Sequence, residues 1–304
     1  MFIPQRLSWF TGAALVLGTV AITAPNATAG TLHNGWNYGI DSFKDGTEYQ
    51  SGRGLVVGSE SAFEFYGMAM KETEDSVIFA INSNLGLSGY SASVRGGSIA
   101  WGDLFLNFSG SSTFDSATDL FAIRFAENND SGVAELGLYS NVTTKSVAGV
   151  NSGHSSLSSY NNKVSNKSWN KDSGSWVYGD GDPSLADLAS DTSYLNQSGR
   201  THNVIKSGTK IGDVQLISDF SNLGLDFGYF GATGTNTFGF SVDKSLLPTG
   251  DFIAHILAEC NNDGMALIGE ISDAESVPEP AGLVGLGVFG LGLWGQRRRK
   301  HQKA

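Results

Sequence analysis

The sequence predicts an all-β protein, an antiparallel β-sandwich or jelly-roll-like fold in a single domain followed by a C-terminal transmembrane helix. Three observations predict it: apolar side chains recur with period two in many short runs between residues 55 and 245, Gly-rich turns separate those runs, and a charge-free apolar segment lies near the C-terminus. Forty glycines against six prolines, 16% charged residues and 11% aromatics describe a chain that folds and can fill a core.

Residues 1–29 read as a secretory signal peptide. Arg6 gives a positive start, Gly12 to Ile22 is apolar, and Ala27-Thr28-Ala29 puts small residues at the −3 and −1 positions of a cut before Gly30. An uncleaved anchor is the weaker reading, because the apolar stretch is short and closed by Pro25. Passage through the Sec translocon is the expectation that follows.

The strands of the 30–276 domain come next. Phe63 and Phe65 share a face, as do Val77, Phe79 and Ile81, then Leu104, Leu106 and Phe108, then Phe121, Ile123 and Phe125. Past the middle of the chain the period returns at Val214, Leu216 and Phe220, at Leu225, Phe227 and Tyr229, and at Phe238, Phe240 and Val242. Each is expected to be a short, half-buried strand, with turns at Asn128 to Gly132 and Gly231 to Gly234. The run Phe252 to Ala258 fits a strand or a helix equally.

Residues 151–210 read as a long Ser/Asn-rich excursion with a short helix. Residues 151–175 hold nine Ser and five Asn, too little apolar surface for an element of their own. Trp169, Trp176 and Tyr178 either pin this loop or present an aromatic platform. Asp182-Pro183, an N-cap before a first-turn proline, places the helix over Leu185, Leu188 and Ala189.

Charge narrows the partners. The formal net charge is −11, yet Arg297, Arg298, Arg299, Lys300 and Lys303 sit in the tail and Arg6 in the leader. Without the two ends, 13 basic residues face 29 acidic ones, near −16, a surface that repels phosphate backbones and argues against nucleic-acid binding. The single cysteine, Cys260, rules out an intrachain disulfide; it either packs as a small apolar residue or forms an intermolecular bridge.

No Gly-x-Ser-x-Gly elbow, His-Glu-x-x-His, Cys-x-x-Cys, P-loop or dinucleotide fingerprint occurs. His33, His154, His202 and His255 lack ligand spacing. Asp180-Gly181-Asp182, with Asp187 and Asp191 downstream, offers oxygen ligands for calcium without the full twelve-residue loop pattern, so it is a weak calcium candidate, and no other cofactor is expected.

The tail, residues 277–304, closes the chain. Pro278-Glu279-Pro280 precedes fifteen residues without a charged side chain, Ala281 to Gly295, and then Arg297, Arg298, Arg299 and Lys300. As a helix the segment would rise about 22 Å, short of a hydrocarbon core of roughly 30 Å. The basic cluster stays cytoplasmic, which leaves the preceding domain outside the inner membrane. The order of these parts resembles the PEP-CTERM sorting signal of exosortase substrates. The resemblance implies that Pro278, Glu279 and Pro280 are recognised by exosortase, an integral-membrane transpeptidase-like enzyme with a catalytic cysteine. It also implies that residues 281–295 are the transmembrane segment, that Arg297 to Arg299 stop transfer, and that the protein reaches the cell surface or extracellular matrix. More loosely, Leu32 to Phe43 and Ser245 to Phe252 resemble a group of exosortase-dependent surface proteins of bacteria with two membranes.

The expectation is therefore an exported, non-enzymatic structural or adhesive surface protein, anchored only transiently in the inner membrane. A carbohydrate-binding module for extracellular polysaccharide, using Trp36, Trp169, Trp176 or Tyr178 as stacking surfaces, is the alternative. A secreted hydrolase is the third reading.

Overall fold

Asn34 and Gly35 both adopt positive φ and form a two-residue turn between β1 (Thr31–His33) and β2 (Trp36–Ile40), the geometry an Asn-Gly pair favours in a hairpin. A computed structural model describes residues 30–94, 97–165, 168–170, 175–177 and 181–273. A separate ribbon follows, β3 (Thr47–Gln50) with β4 (Gly54–Val57), and then the long hairpin β5 (Phe65–Glu72) and β6 (Ser76–Ser83). A small ribbon, β7 (Tyr90–Ser91) with β8 (Ser98–Ile99), leads to the meander β9 (Leu104–Asn107), β10 (Leu120–Arg124) and β11 (Gly137–Lys145).

Helix α1 (Leu157–Ser165) precedes the ribbon of β12 (Ser168–Asn170) and β13 (Ser175–Val177). The last five strands are β14 (Val204–Gly212), β15 (Gln215–Ile217), β16 (Asn236–Asp243), β17 (Gly250–Leu257) and β18 (Gly264–Ile271). Among the described residues they build two six-stranded antiparallel sheets, ordered β1-β2-β5-β6-β16-β15 and β14-β11-β10-β9-β17-β18. The all-β, sandwich-like expectation holds.

The shared core takes Phe65, Phe79, Ile81 and Phe240 from the first sheet and Leu106, Ile123, Ile256 and Leu267 from the second. Phe125 stacks on Phe240 at 4.4 Å, and Trp101 on Phe65 at 4.3 Å. Expected half-burial of the strands is corrected by the outer faces. Val77, Phe79 and Ile81 face the core, while Ile78 and Ala80 look the other way and are buried with Trp36, Tyr38, Phe227 and Ala232. On the far side of the second sheet, Phe105, Ala122 and Tyr139 are covered by Leu157, Tyr160, Leu185 and Leu195. Long connections cover both sheets, so the strands carry apolar residues on both faces.

Three local expectations are corrected. Phe227–Phe230 is a 3-10 turn, not a strand: the Tyr229 N–H donates to Asp226 Oδ1, and Gly231 ends the turn at φ +76°. The segment after Asp182-Pro183 is not a helix, because the Ala186 N–H is held by Asp41 and Ala186 itself sits at φ +55°. The helix of this excursion is α1, inside the Ser/Asn-rich stretch. Leu157, Tyr160 and Val164, at i, i+3 and i+7, give it one buried stripe, each worth about 2 kcal/mol, and Ser156 Oγ accepts the Ser159 N–H at its start.

The undecided run Phe252 to Ala258 forms β17, and Cys260 packs in the shared core. Among the described residues no helix is long and apolar enough to cross a membrane; the expected span at residues 281–295 lies outside them, as do the signal residues before Gly30.

Candidate functional site

Four buried carboxylates meet where widely separated parts of the chain cross. Asp41 follows β2, Asp45 precedes β3, Glu64 precedes β5, and Asp263 ends the turn into β18. Each carboxylate organises backbone. Asp41 Oδ1 accepts the Ala186 N–H at 3.0 Å, Asp45 Oδ2 the Ser184 N–H at 2.7 Å, and Glu64 Oε2 the Gly46 N–H at 2.7 Å. Asp263 Oδ2 accepts the Phe65 N–H at 2.7 Å, and its Oδ1 accepts the Gly264 N–H at 2.7 Å and the Tyr160 hydroxyl at 3.0 Å.

The remaining oxygens are the unusual feature. Asp41 Oδ2, Asp45 Oδ1 and Glu64 Oε1 are all buried and meet no protein donor in hydrogen-bonding geometry. One carboxylate oxygen from each of Asp41, Asp45 and Asp263 lies within 4.8 Å of the others. Among the described residues no ion pair reaches any of the four acids.

Burial and mutual repulsion therefore disfavour ionisation. Burial pushes the Asp41 carboxyl up to about 7; burial, then the charges of Asp41 and Asp263, push Asp45 up to about 11. Burial and the Asp45 charge raise Glu64 to about 9, and burial with Asp41 and Glu64 holds Asp263 well above the usual carboxylate range. His154, beyond Tyr160, supplies no balancing charge: burial, then the Lys163 charge, lowers it to about 4.

A second buried acid shows what a purely structural carboxylate looks like in this protein. Asp103 accepts from Asn129 Nδ2 at one oxygen and from Ser131 Oγ and the Ile205 N–H at the other. Both of its oxygens are filled, and Arg124, which bonds Asn129, adds a nearby positive charge.

The sequence-based calcium candidates lie elsewhere. Asp182 is exposed and meets this region only through its N–H, which donates to the Lys44 carbonyl at 3.2 Å; Asp180 lies outside the described residues. Asp187 turns to the Ile268 N–H at 2.8 Å. Sequence reading missed all four clustered acids because they are spread over more than two hundred positions, and only Asp41 and Asp45 are close in the chain.

Trp36 is fully buried, its indole N–H donating to the Leu223 carbonyl, so it presents no stacking surface. Trp169 and Trp176 pair in register across the β12–β13 ribbon, and Tyr178 lies outside the described residues. Among the described residues, open clefts mark the surface, and two of them bear on binding. One, of about 700 Å³, lies beside Asp130, Lys145 and Arg200. The other, of about 550 Å³, is lined by Tyr49 and Tyr90 with Glu48, Gln50, Glu60 and Asn84. The sorting residues Pro278, Glu279, Pro280, Arg297, Arg298, Arg299 and Lys300 lie outside the described residues, as do Ala27 and Ala29.

No protein-family model matches the chain, and no curated protein or solved structure shows significant similarity to it.

Proposed function

We propose that this chain is an exported bacterial surface or extracellular-matrix protein with a structural or adhesive role and no catalysis, sorted by exosortase through its tail. The observation that carries the reading is the ordered tail: Pro278-Glu279-Pro280, the uncharged segment 281–295 acting as a brief transmembrane helix, and Arg297 to Lys300. Support comes from the folded part, where the first of the described strands starts at Thr31, just after the expected cut between Ala29 and Gly30. Mass spectrometry of the protein from its host, with and without the sorting enzyme, is the test. Processed protein lacking the 297–303 peptides is expected; surface protein that retains them would refute the sorting.

One observation favours polysaccharide binding as a second reading, although not through Trp36. In the smaller cleft Tyr49 and Tyr90 are 66% and 38% exposed, flanked by Glu48, Gln50, Glu60 and Asn84. Flat aromatic faces beside carboxylates and amides suit sugar rings, which present apolar faces and hydroxyl edges. A glycan array should show binding that Tyr49→Ala weakens at least tenfold, and a flat profile removes this reading.

A further inference from the structure

We propose that Asp41, Asp45 and Asp263 bind a divalent cation of the calcium class, with Glu64 completing the charge around it. Two independent observations converge on one point inside the fold. Asp41, Asp45 and Glu64 are each more than nine-tenths buried, yet each keeps one oxygen without a protein donor. Leaving buried polar atoms unpaired is costly. Those of Asp41 and Asp45, which no donor meets in hydrogen-bonding geometry although the Ser184 and Tyr160 hydroxyls stand nearby, belong to two acids that also share the close-spaced group described next.

The second observation is spacing. Ligand oxygens from Asp41, Asp45 and Asp263 lie within 4.8 Å of one another. Two oxygens on opposite sides of a calcium ion, each at about 2.3 to 2.6 Å, stand roughly 5 Å apart, so the three fit on one coordination sphere. Magnesium, at about 2.0 to 2.1 Å with strict octahedral demands, would require contraction of the cluster. Every donor is a hard oxygen and none is a thiolate or imidazole, which selects against zinc and copper.

Position gives the site a consequence. Its ligands come from residues 41–45 and 263, and the other oxygens of Asp41 and Asp45 hold the backbone of Ala186 and Ser184. That segment in turn bridges to the β18 edge, where the Ala266 N–H donates to Leu185 O at 3.1 Å. A cation here ties the excursion to the edge of the second sheet and replaces repulsion among the acids with attraction. The site does not depend on the sorting tail, since a chain with an uncut tail would hold the same ion.

The test uses the full chain, exported and purified, then stripped with EDTA and equilibrated with calcium or magnesium. One calcium per chain is expected by elemental mass spectrometry. A Tm rise of roughly 5 to 10 °C is expected at a hundredfold excess of calcium over its Kd, with a smaller rise in magnesium. Asp45→Asn and Asp263→Asn should abolish both, whereas Asp103→Asn and Asp182→Asn should keep calcium bound. Should the cluster variants fail to fold, calorimetric titration of calcium into the stripped wild-type chain decides alone. No bound calcium and an identical Tm with and without chelator would overturn the proposal, as would tighter binding of magnesium than of calcium.

Discussion

The Tyr160 hydroxyl donates a 3.0 Å hydrogen bond to Oδ1 of Asp263, so the middle of α1 is joined to the turn that starts β18. Both residues are buried, and a phenol placed against an acidic cluster keeps its proton: burial, then the Asp263 charge, raises Tyr160 well above its ordinary range. Tyr160→Phe removes one buried hydrogen bond but leaves Asp263 Oδ1 the Gly264 N–H. The expected cost is about 1 to 2 kcal/mol of unfolding free energy, read from urea denaturation. Unchanged stability would mean that the bond contributes nothing in solution.

Gly153 lies where the chain passes against the turn after β17. The next residue's N–H, that of His154, donates to the Cys260 carbonyl at 2.8 Å, and a Cβ on Gly153 would overlap that same carbonyl group. Because the obstacle is backbone rather than a flexible side chain, relief requires moving one strand connection away from the other. Gly153→Ala should cost about 3 kcal/mol, while Gly149→Ala, with open space around it, should stay within roughly 0.5 kcal/mol. Thermal melts of the two variants separate the cases, and equal melting temperatures would contradict the close approach.

Period-two patterning was enough to place β6, β9, β10 and β16, because each alternates large apolar residues toward one shared core. It misplaced Leu225, Phe227 and Tyr229: Phe227 packs with Trp36 and Tyr38 from a 3-10 turn, Leu225 precedes that turn, and Tyr229 is exposed. Local alternation does not distinguish a strand from a covering loop. The helix over Asp182-Pro183 failed for a related reason, since distant Asp45 and Asp41 take the N–H groups of Ser184 and Ala186. Asn34-Gly35 was a readable hairpin signal that patterning alone passed over. The carboxylate cluster had no local signature, because its members converge only through the pairing of β2 with β5 and of β17 with β18.

Cys260 is fully buried in the shared core, and burial pushes its thiol well above the ordinary range. A protonated, inaccessible thiol neither alkylates nor exchanges. The native chain should stay unmodified by iodoacetamide and react fully only in denaturant, and non-reducing gels should show no covalent dimer. A dimer that reductant dissolves would restore the intermolecular disulfide. Cys260→Ala should cost about 1 kcal/mol by denaturant titration, from lost packing alone.

His255 should set much of the acid sensitivity. It is buried between Phe105, which stacks on it at 5.3 Å, and the edge of Phe114 at 4.4 Å. Burial lowers its pKa to about 3 from an ordinary 6.5. The folded state thus binds the imidazole proton more weakly than the unfolded chain does. Stability from this group is complete above pH 6.5 and is lost as pH falls toward 3, at about 1.4 kcal/mol per pH unit within that window. Asp103 opposes it: burial raises that carboxyl to about 6, so the folded state gains stability as pH falls from 6 toward 4. His154, which burial lowers to about 4, adds a slope of the same sign as His255, while Asp187, Glu259 and the clustered acids, all raised by burial, act in the same direction as Asp103. His255→Gln removes one slope without touching the others. Relative to the wild type, the variant should therefore become progressively more stable as pH falls from 6.5 toward 3, whatever the shape of the wild-type curve. Urea denaturation across that range measures both curves, and parallel curves for the two proteins would show that His255 is not the group responsible.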